Sequence, residues 1–555
     1  MTAAEMREID RLTTERYAVP SLLLMQAAAD SAAREIAAHL SHDLRRKRIL
    51  ILCGRGDNGG DGAALARSLC NTGANVVLVL FGRVEETKGD ARTNFEAVRQ
   101  LDGFVDGSPT LTYPLQFIEC VEEPVWDDCR WAFTDNRDVV VDALFGTGLS
   151  RPLEGIYAKV LEHLAKLRGR REEGALCWQP LFVSLDIPSG LDADSNRPNG
   201  PAARADLTVT FTAPKPANVL PPASHFNGRL VVADIGSPPK LIDEAPSKLF
   251  LVEAEDAGLW LRRTRYTPDS YKNIHGHAFV VAGSRGMTGA AVLCADAAMT
   301  AGAGLVTLAS PESALPAISP RLSPEVMTAP LKETEAGSVS TEASAQFERL
   351  SERATVVAVG CGLTHEHEST RRFVRACVER RRTPLVIDAD GLNALSPWPS
   401  ELKGTSEAPV VLTPHEGEML RLLGASAPSA LDERARVVAE FASTQGLFVV
   451  LKGTRTLVAA PDGRVFVNPT GNAGLGTAGS GDTLTGVITG FLAQEFGATG
   501  RDRDALAAVL AAVYVAGLAG DLAARELGMR TMVASDVRRY LSAAVRALDP
   551  EGETP

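Results

Sequence analysis

Two glycine-dense turns, each set between an apolar run and a helical pattern, carry the residues best suited to chemistry. In the first, Gly54–Gly62 reads GRGDNGGDG and follows the apolar run Arg48–Gly54 (RILILCG). Glycines let a backbone turn tightly and come close to a ligand, and the helix N-terminus that follows offers unpaired amides to an anion. The turn is neither a G-x-G-x-x-G fingerprint nor a Walker loop, because no Gly-Lys-Ser/Thr follows. Two aspartates belong with it: Asp142 in VVVDALFGTGLSRP and Asp186 in SLDIPSGLDAD. A carboxylate on an apolar strand is costly unless it meets a cation, a donor or a ligand. Either aspartate alone reads as an ordinary cap, but both together with the glycine turn read as a site. In the second turn, Asn468–Gly486 reads NPTGNAGLGTAGSGDTLTG, with Gly479-Ser480-Gly481-Asp482 opening the helical run Thr483–Gln494. Successive amides there form an anion hole, and Asp482 is placed to take a proton from a hydroxyl attacking phosphorus.

These residues need strand ends to hold them, and the sequence supplies two series. Arg48–Gly54, Asn75–Gly82, Asp138–Gly146 and Leu181–Gly190 are short apolar runs ending in glycine, with helical stretches such as Ala63–Cys70 and Ile156–Leu167 between them. Such alternation predicts a parallel α/β sheet, extended by Asp206–Phe211 and Arg229–Ile235. Ligands of such sheets bind outside the carboxyl ends of the strands. A proline-bearing stretch, Gly236–Ser247, and a polar one, Arg262–Asn273, separate this series from a second: His277–Gly283, Gly304–Ala309, Thr355–Gly360, Pro384–Asp390, Pro409–Thr413, Leu447–Lys452 and Thr456–Ala460. The expected organisation is a first domain over 1–240, a linker over 241–265 and a second domain over 266–545. Val105–Arg137 and Arg168–Gln179 read as surface excursions.

Bulk properties agree with a globular, non-nucleic-acid-binding protein. A chain of 555 residues exceeds one compact core, and 45% hydrophobic with 23% charged residues is ordinary for a folded chain. A net charge of −12 argues against a duplex-binding surface. The eight cysteines form no C-x-x-C pair, which argues against a zinc ribbon or a disulfide framework and for a reducing compartment. Glu5, Glu8, Asp10 and Glu15 precede the first apolar stretch, Leu22 to Met25, unlike a secretory signal. No uninterrupted apolar window of membrane-spanning length is expected. The expected setting is cytoplasmic, with no membrane and no nucleic-acid partner.

DNGGDG, VDALFGTGL and LDIPSGLDAD, in this order, resemble the N-terminal domain of the YjeF-type family, the NAD(P)H-hydrate epimerases; the likeness covers roughly residues 1–235, with an opening helix containing EMREIDR and a later VPSLLLM. The resemblance implies a Rossmann-like fold and a potassium ion beside the hydrated dinucleotide. It implies Asn58, Asp142 and Ser189 as potassium ligands. Substrate would be held by Asp57, Asn58, Gly59, Gly60 and Asp61, by Gly146, Thr147, Gly148, Leu149, Ser150, Arg151 and Pro152, and by Asp186, the candidate acid/base. Two departures stand out: Asp57 occupies the place of a usual asparagine, and Met25-Gln26-Ala27-Ala28 replaces the usual Met-Glu-Asn-Ala.

The second half resembles the ribokinase-like superfamily through its Gly-Ser-Gly-Asp turn. Ala282–Gly304, Val359–Leu363 (VGCGL), Ile387–Leu395 (IDADGLNAL), Thr413–Glu418 (TPHEGE) and Lys452–Thr456 (KGTRT) narrow that to the NAD(P)H-hydrate dehydratase domain, over about residues 265–545. One slot departs: Gly360-Cys361-Gly362-Leu363 stands where the family usually has Gly-Pro-Gly-Leu. The resemblance implies that Ala290, Gly362, His415 and Asp482 contact the hydrated dinucleotide. Lys452, Gly453, Thr454, Arg455, Thr456 and Gly481 would bind the adenine nucleotide, ADP or else ATP. Magnesium would bridge the nucleotide phosphates. Asp388 and Asp390 would shape the site. The fold class expected is therefore α/β throughout: an N-terminal Rossmann-like parallel-sheet domain followed by a C-terminal ribokinase-like α/β domain. The implied activity is repair of NADH and NADPH hydrates by epimerisation and dehydration, in a homo-oligomer. Two rivals remain: a ribokinase-like small-molecule kinase, and a first half that is a non-catalytic binding or scaffold module.

Overall fold

The computed structural model describes the chain except for residues 103, 106–107, 110–113, 150, 498–501 and 552–555 and the side chains of residues 104–105, 108–109, 129 and 132. The chain forms two compact units, Met1–Ser247 and Lys248–Pro555. Ser150 lies outside the described residues, as does the Cys129 side chain. Cys53, Cys70, Cys177, Cys294, Cys361 and Cys377 are free thiols.

The first unit is built on seven parallel strands: β1 (Arg48–Cys53), β2 (Asn75–Leu80), β3 (Leu115–Glu119), β4 (Val139–Ala143), β5 (Leu181–Leu185), β6 (Leu207–Phe211) and β7 (Arg229–Ala233). Their order in the sheet is β3-β2-β1-β4-β5-β6-β7, every neighbouring pair running parallel. The order reverses between β1 and β4, and that switch point is where open α/β sheets bind ligands. Consecutive β1 residues face opposite sides of the sheet. Ile49, Ile51 and Cys53 enter one core with Ala63, Leu65 and Leu69 of the Asp57–Asn71 helix, while Leu50 and Leu52 enter another with Trp126 and Leu164. Burial on both faces explains why β1, β4 and β5 read as continuous apolar runs.

The second unit carries a ten-stranded sheet. Its strands are β8 (Leu249–Leu251), β9 (His277–Val281), β10 (Leu305–Pro311), β11 (Met327–Leu331), β12 (Val356–Val359), β13 (Leu385–Ile387), β14 (Val410–Leu412), β15 (Phe448–Leu451), β16 (Leu457–Ala459) and β17 (Val465–Val467). They lie in the order β8-β17-β16-β15-β14-β13-β12-β9-β10-β11. All neighbours are parallel except β16, which runs antiparallel to both β15 and β17. The order reverses between β12 and β9. Helices Thr288–Thr300, Ser480–Gly497 and Ala505–Leu527 pack their small apolar residues against one face.

Several sequence expectations need correcting. The stretch 241–265 is not a linker, because Leu249–Leu251 pairs with β17 and Ala254–Arg263 packs Ala257, Trp260 and Leu261 into the second core. Its charged outer face masked that apolar stripe. Val105–Arg137 and Arg168–Gln179 are not mere excursions. The first supplies β3 and a helix, Glu123–Thr134, with Trp126 fully buried. The second continues the helix Gly155–Glu172, whose Arg171 holds the Asp206 carboxylate at 2.5 and 2.9 Å. Among the described residues one helix, Ala505–Leu527, is by length and composition long and apolar enough to cross a membrane, against the expectation of none, and just over half of its apolar window is covered by the domain. In the apolar Leu22–Ala29 segment, Leu24, Ala28 and Ala29 are buried, whereas Leu22 and Leu23 face solvent.

Candidate functional site

At the first switch point the glycine turn is shorter than its sequence suggests. Only Gly54–Gly56 connects β1 to the helix, which begins at Asp57 and carries Asn58, Gly59, Gly60 and Asp61 in its first turns. The glycines serve close packing. A Cβ at Gly59 would lie 1.9 Å from the Gly54 carbonyl oxygen, so the helix start presses on the strand end. That approach sets Asn58 inside the protein at 8% exposure, with neither Oδ1 nor Nδ2 partnered. A buried amide left unpaired on both atoms is rare and points to a missing ligand. A Cβ built on Gly146 would sit 3.4 Å from Asn58 Oδ1 and 3.1 Å from Asp186 Oδ2, so the backbone after β4 brings these two side chains together.

Asp142 and Asp186 are both buried but are satisfied in different ways. The Asp142 carboxylate accepts from Ser189 Oγ at 2.6 Å, Ser189 N at 2.8 Å, Ser184 Oγ at 3.0 Å and Leu144 N at 3.3 Å. Burial nevertheless pushes its pKa up against those bonds. Asp186 follows β5 with φ of +63°, a conformation costly for a non-glycine residue and found at sites that need it. Its Oδ1 accepts from Lys215 Nζ at 2.5 Å and Thr210 Oγ1 at 3.1 Å. Lys215 is 2% exposed and also donates to Thr210 Oγ1 and the Phe211 carbonyl.

Lys215 is the residue sequence reasoning missed, since a lysine between two prolines in TAPKP reads as surface. The signal was available in its position, four residues beyond the apolar β6. Asp10 of the opening helix was missed too: burial and the Asp186 and Asp57 charges raise its pKa to about 6, with Lys215 opposing. Asp61 is pushed up strongly, by burial first and then by Asp186 and Asp57. Asp57 is exposed, as are Gly148, Arg151 and Pro152, whereas Leu149 is buried and Gly146 and Thr147 are half-buried. Gln26, at the departure from the usual motif, accepts from Arg67 and donates to Asp30 and Ser68, so it braces one helix against the next.

In the second unit the expected residues collect at the carboxyl edge of β12 to β15. Asp388, just after β13, is 1% exposed. Its Oδ1 accepts from Lys452 Nζ at 2.7 Å and its Oδ2 from Thr485 Oγ1 at 2.7 Å. Burial opposes its ionisation, but Lys452 and Thr485 outweigh burial and hold the carboxyl below its ordinary range. Burial likewise opposes the Lys452 charge, and Asp388 with Glu418 outweighs it. Asp482, in the first turn of Ser480–Gly497, is raised to about 6 by burial and then by the neighbouring Asp388 charge. A carboxyl so poised is suited to accept a proton near neutral pH. Ser480 Oγ and Thr483 Oγ1, on the same turn, are buried without partners. Both lie on the turn whose amides the sequence offered to an anion, a reading that stopped at Gly479–Gly481.

The remaining expected residues have distinct surroundings. Gly481 lies against Lys452, whose Nζ would be 3.2 Å from a Cβ there. His415 caps the Glu416–Leu422 helix: its Nδ1 accepts from Gly417 N at 3.0 Å and Glu418 N at 3.3 Å, which leaves the proton on Nε2. Gly362 faces Ala290, 3.0 Å from a Cβ built there. Gly453 and Thr454 are exposed, and Arg455 and Thr456 half-buried. Asp390 is not part of the reacting group: it accepts from Thr364 N at 2.9 Å and pairs with His365 Nδ1 at 2.8 Å. The sulfur of Cys361 and oxygens of Asp388 and Asp482 lie within 4.8 Å of one another. One thiol and two carboxylates are too few oxygen donors to make an all-protein cage for magnesium. An ion there would draw its ligands from nucleotide phosphates and water.

Fold and residues together define a two-domain α/β protein with a candidate ligand site at the carboxyl edge of each sheet. A family model described as YjeF-related protein N-terminus matches residues 21–217, and one described as NAD(P)H-hydrate dehydratase matches residues 278–543. The bifunctional NAD(P)H-hydrate repair enzyme Nnr of Moorella thermoacetica is 40% identical over 557 residues, covering 100% of this chain and 98% of that protein. The protein of the same name in Thermofilum pendens is 37% identical, covering 99% and 97%, and that of Escherichia coli 31%, covering 90% and 85%. Among solved structures, the ADP/ATP-dependent NAD(P)H-hydrate dehydratase of Bacillus subtilis co-crystallised with ATP and Mg2+ is 30% identical. It covers 55% of this chain and 100% of that one, with a TM-score of 0.46. The chain belongs to the family of bifunctional NAD(P)H-hydrate repair enzymes.

Proposed function

We propose that the first unit interconverts the R and S epimers of NADH and NADPH hydrates, and that the second dehydrates the S form at the expense of ADP. The observation that carries this reading is the pair of sites: a buried, lysine-held Asp186 beside an unpartnered Asn58, and a base-poised Asp482 on an anion-facing helix start.

A hydrate carries a hydroxyl on the ring carbon next to the ring nitrogen. The nitrogen lone pair expels that hydroxyl to give an iminium, and water re-added to either face exchanges the epimers. Asp186 Oδ2, turned toward Gly146, gives a proton to the departing hydroxyl and takes one from the returning water. Lys215, on Oδ1, holds the carboxylate in place. Asn58, Asp142 and Ser189 supply an amide, a carboxylate and a hydroxyl, a donor set that suits a hard monovalent cation. Potassium bound there would add positive charge beside the carboxylates and order the loop after β4. Asp57–Asp61 and Gly146–Pro152 would line the dinucleotide.

In the second unit the hydroxyl attacks the terminal phosphorus of ADP while Asp482 removes its proton. The P–O bond to AMP breaks, the ring nitrogen then expels phosphate to leave an iminium, and loss of a proton from the neighbouring ring carbon to the departing phosphate restores the dihydronicotinamide. Ser480, Thr483 and the amides of Gly479–Gly481 face the phosphoryl charge, and Lys452–Thr456 with Gly481 hold the nucleotide. Magnesium would neutralise charge on the transferring phosphates. His415, Ala290 and Gly362 would contact the nicotinamide nucleotide. A kinase of the ribokinase type would leave the first unit's Asp186–Lys215–Asn58 arrangement without work.

The test is product analysis with purified S-epimer hydrate and ADP. Dehydration yields NADH, AMP and inorganic phosphate in equal amounts. A stable phosphorylated product with no free phosphate would establish a kinase instead. Exchanging potassium for lithium should lower epimerisation and also the melting temperature of the first unit. No change in either would remove the cation.

A further inference from the structure

Cys361 occupies a turn that controls where its side chain goes. It follows β12 between Gly360, with φ of +135°, and Gly362, with φ of +65°. Both flanking conformations favour glycine, so the turn fixes the direction of the one side chain between them. That side chain is 1% exposed and sets its sulfur within 4.8 Å of carboxylate oxygens of Asp388 and Asp482. Asp388 already accepts from Lys452 and Thr485, one on each oxygen. Asp482, whose ionised form the Cys361 thiol favours, is the acceptor. Behind Cys361 stands Cys294 of the Thr288–Thr300 helix, 0% exposed, its thiol interacting with that of Cys361.

The protonation state follows from these surroundings. The Cys294 thiol and then burial push the Cys361 pKa well above its ordinary value, so Cys361 remains an S–H donor at neutral pH. An ionised Asp482 carries no hydrogen, which leaves one direction for the bond, from sulfur to carboxylate.

We propose that Cys361 is a positioning residue for the dehydration step, its thiol donating a hydrogen bond to the Asp482 carboxylate. That bond steers the carboxylate toward the substrate hydroxyl and opposes the effect of burial and of Asp388, which together make Asp482 harder to ionise. This inference rests on Asp482 being the base.

The test is the pH dependence of kcat/KM for dehydration of S-epimer hydrate by the full chain with ADP and magnesium. The acid limb of the wild type is expected near pH 6. Cys361→Ala removes the donor, so the limb moves upward by about 0.5 to 1 pH unit, a roughly 3- to 10-fold loss below the limb that recovers at alkaline pH. Cys361→Ser restores a donor and returns the limb to the wild-type position or below it. Cys361→Val, which also lacks the donor, moves it upward in the same way and remains informative if Cys361→Ala misfolds. An unmoved limb in Cys361→Ala, with Asp482→Asn inactive, overturns the thiol hydrogen bond alone. Full activity in Asp482→Asn overturns the base assignment and the thiol bond with it.

Discussion

Each unit holds a buried aspartate against a lysine, and the two pairs do different work. In the first unit Lys215 holds Asp186, the carboxylate proposed to move protons. In the second, Lys452 holds Asp388, which only supports the site, while the proposed base, Asp482, stands beside the pair and is raised to about 6 by burial and by the Asp388 charge. Epimerisation needs a carboxylate that is fixed in place and gives and takes protons in turn. Phosphoryl transfer needs a base poised near the working pH, so the lysine-held carboxylate becomes the charge that tunes its neighbour. The same device thus serves two chemistries according to which carboxylate touches the lysine.

The sharpest way to break this comparison is a crossed pair of substitutions. Asp482→Asn should lower dehydration of pure S epimer by about 10²- to 10⁴-fold and leave epimerisation intact, with Asp186→Asn doing the converse at about 10²-fold. Either variant impairing both activities to the same extent would contradict separate sites. The lysines come next. Lys215→Met leaves Asp186 buried without its cation and should destabilise the first unit by on the order of 3 kcal/mol, read as an earlier melting transition with epimerisation lost. Lys452→Met should also destabilise its own unit, but its distinctive effect is an upward move of the dehydration acid limb, because the Lys452 charge favours the ionised Asp482. An unmoved limb would separate Lys452 from the tuning of Asp482.

The pH profiles carry the comparison further. Asp482 must be ionised to accept a proton, so dehydration should fall as the pH drops through about 6. The smallest expected effect is that of Gly481→Ala. Its Cβ would meet the flexible end of Lys452 at 3.2 Å, so Lys452 gives way and the KM for ADP rises within about tenfold, at a cost near 1 kcal/mol. A nucleotide KM unchanged in that variant would remove the Gly481–Lys452 contact from the binding site.

Much of this was legible in the sequence because the central strands of both sheets are buried on two faces and so appear as unbroken apolar runs. The edge strands of the second sheet were not legible. Met327–Leu331 exposes three of its five residues and contains a proline, and Leu249–Leu251 is only three residues long. The aspartates at strand ends stood out against apolar surroundings, whereas Lys215 did not, because a lysine acquires its meaning only from the carboxylate that folding brings to it. The GRGDNGGDG segment read as a ligand-cradling loop because glycine composition cannot separate a loop from a helix start pressed against a strand. Ser480 and Thr483 were hidden for a similar reason: a hydroxyl's lack of partners is a property of the packed turn.

The most direct test of two sites in one chain is recovery of reduced nicotinamide absorbance from mixed-epimer hydrate with ADP, magnesium and potassium, comparing the wild type with Asp186→Asn. The wild type should recover all the hydrate, with phosphate released in step. Asp186→Asn should recover the S fraction at the wild-type rate and then slow to the spontaneous rate of epimer exchange. Complete recovery by Asp186→Asn at the wild-type rate would contradict an epimerase centred on Asp186.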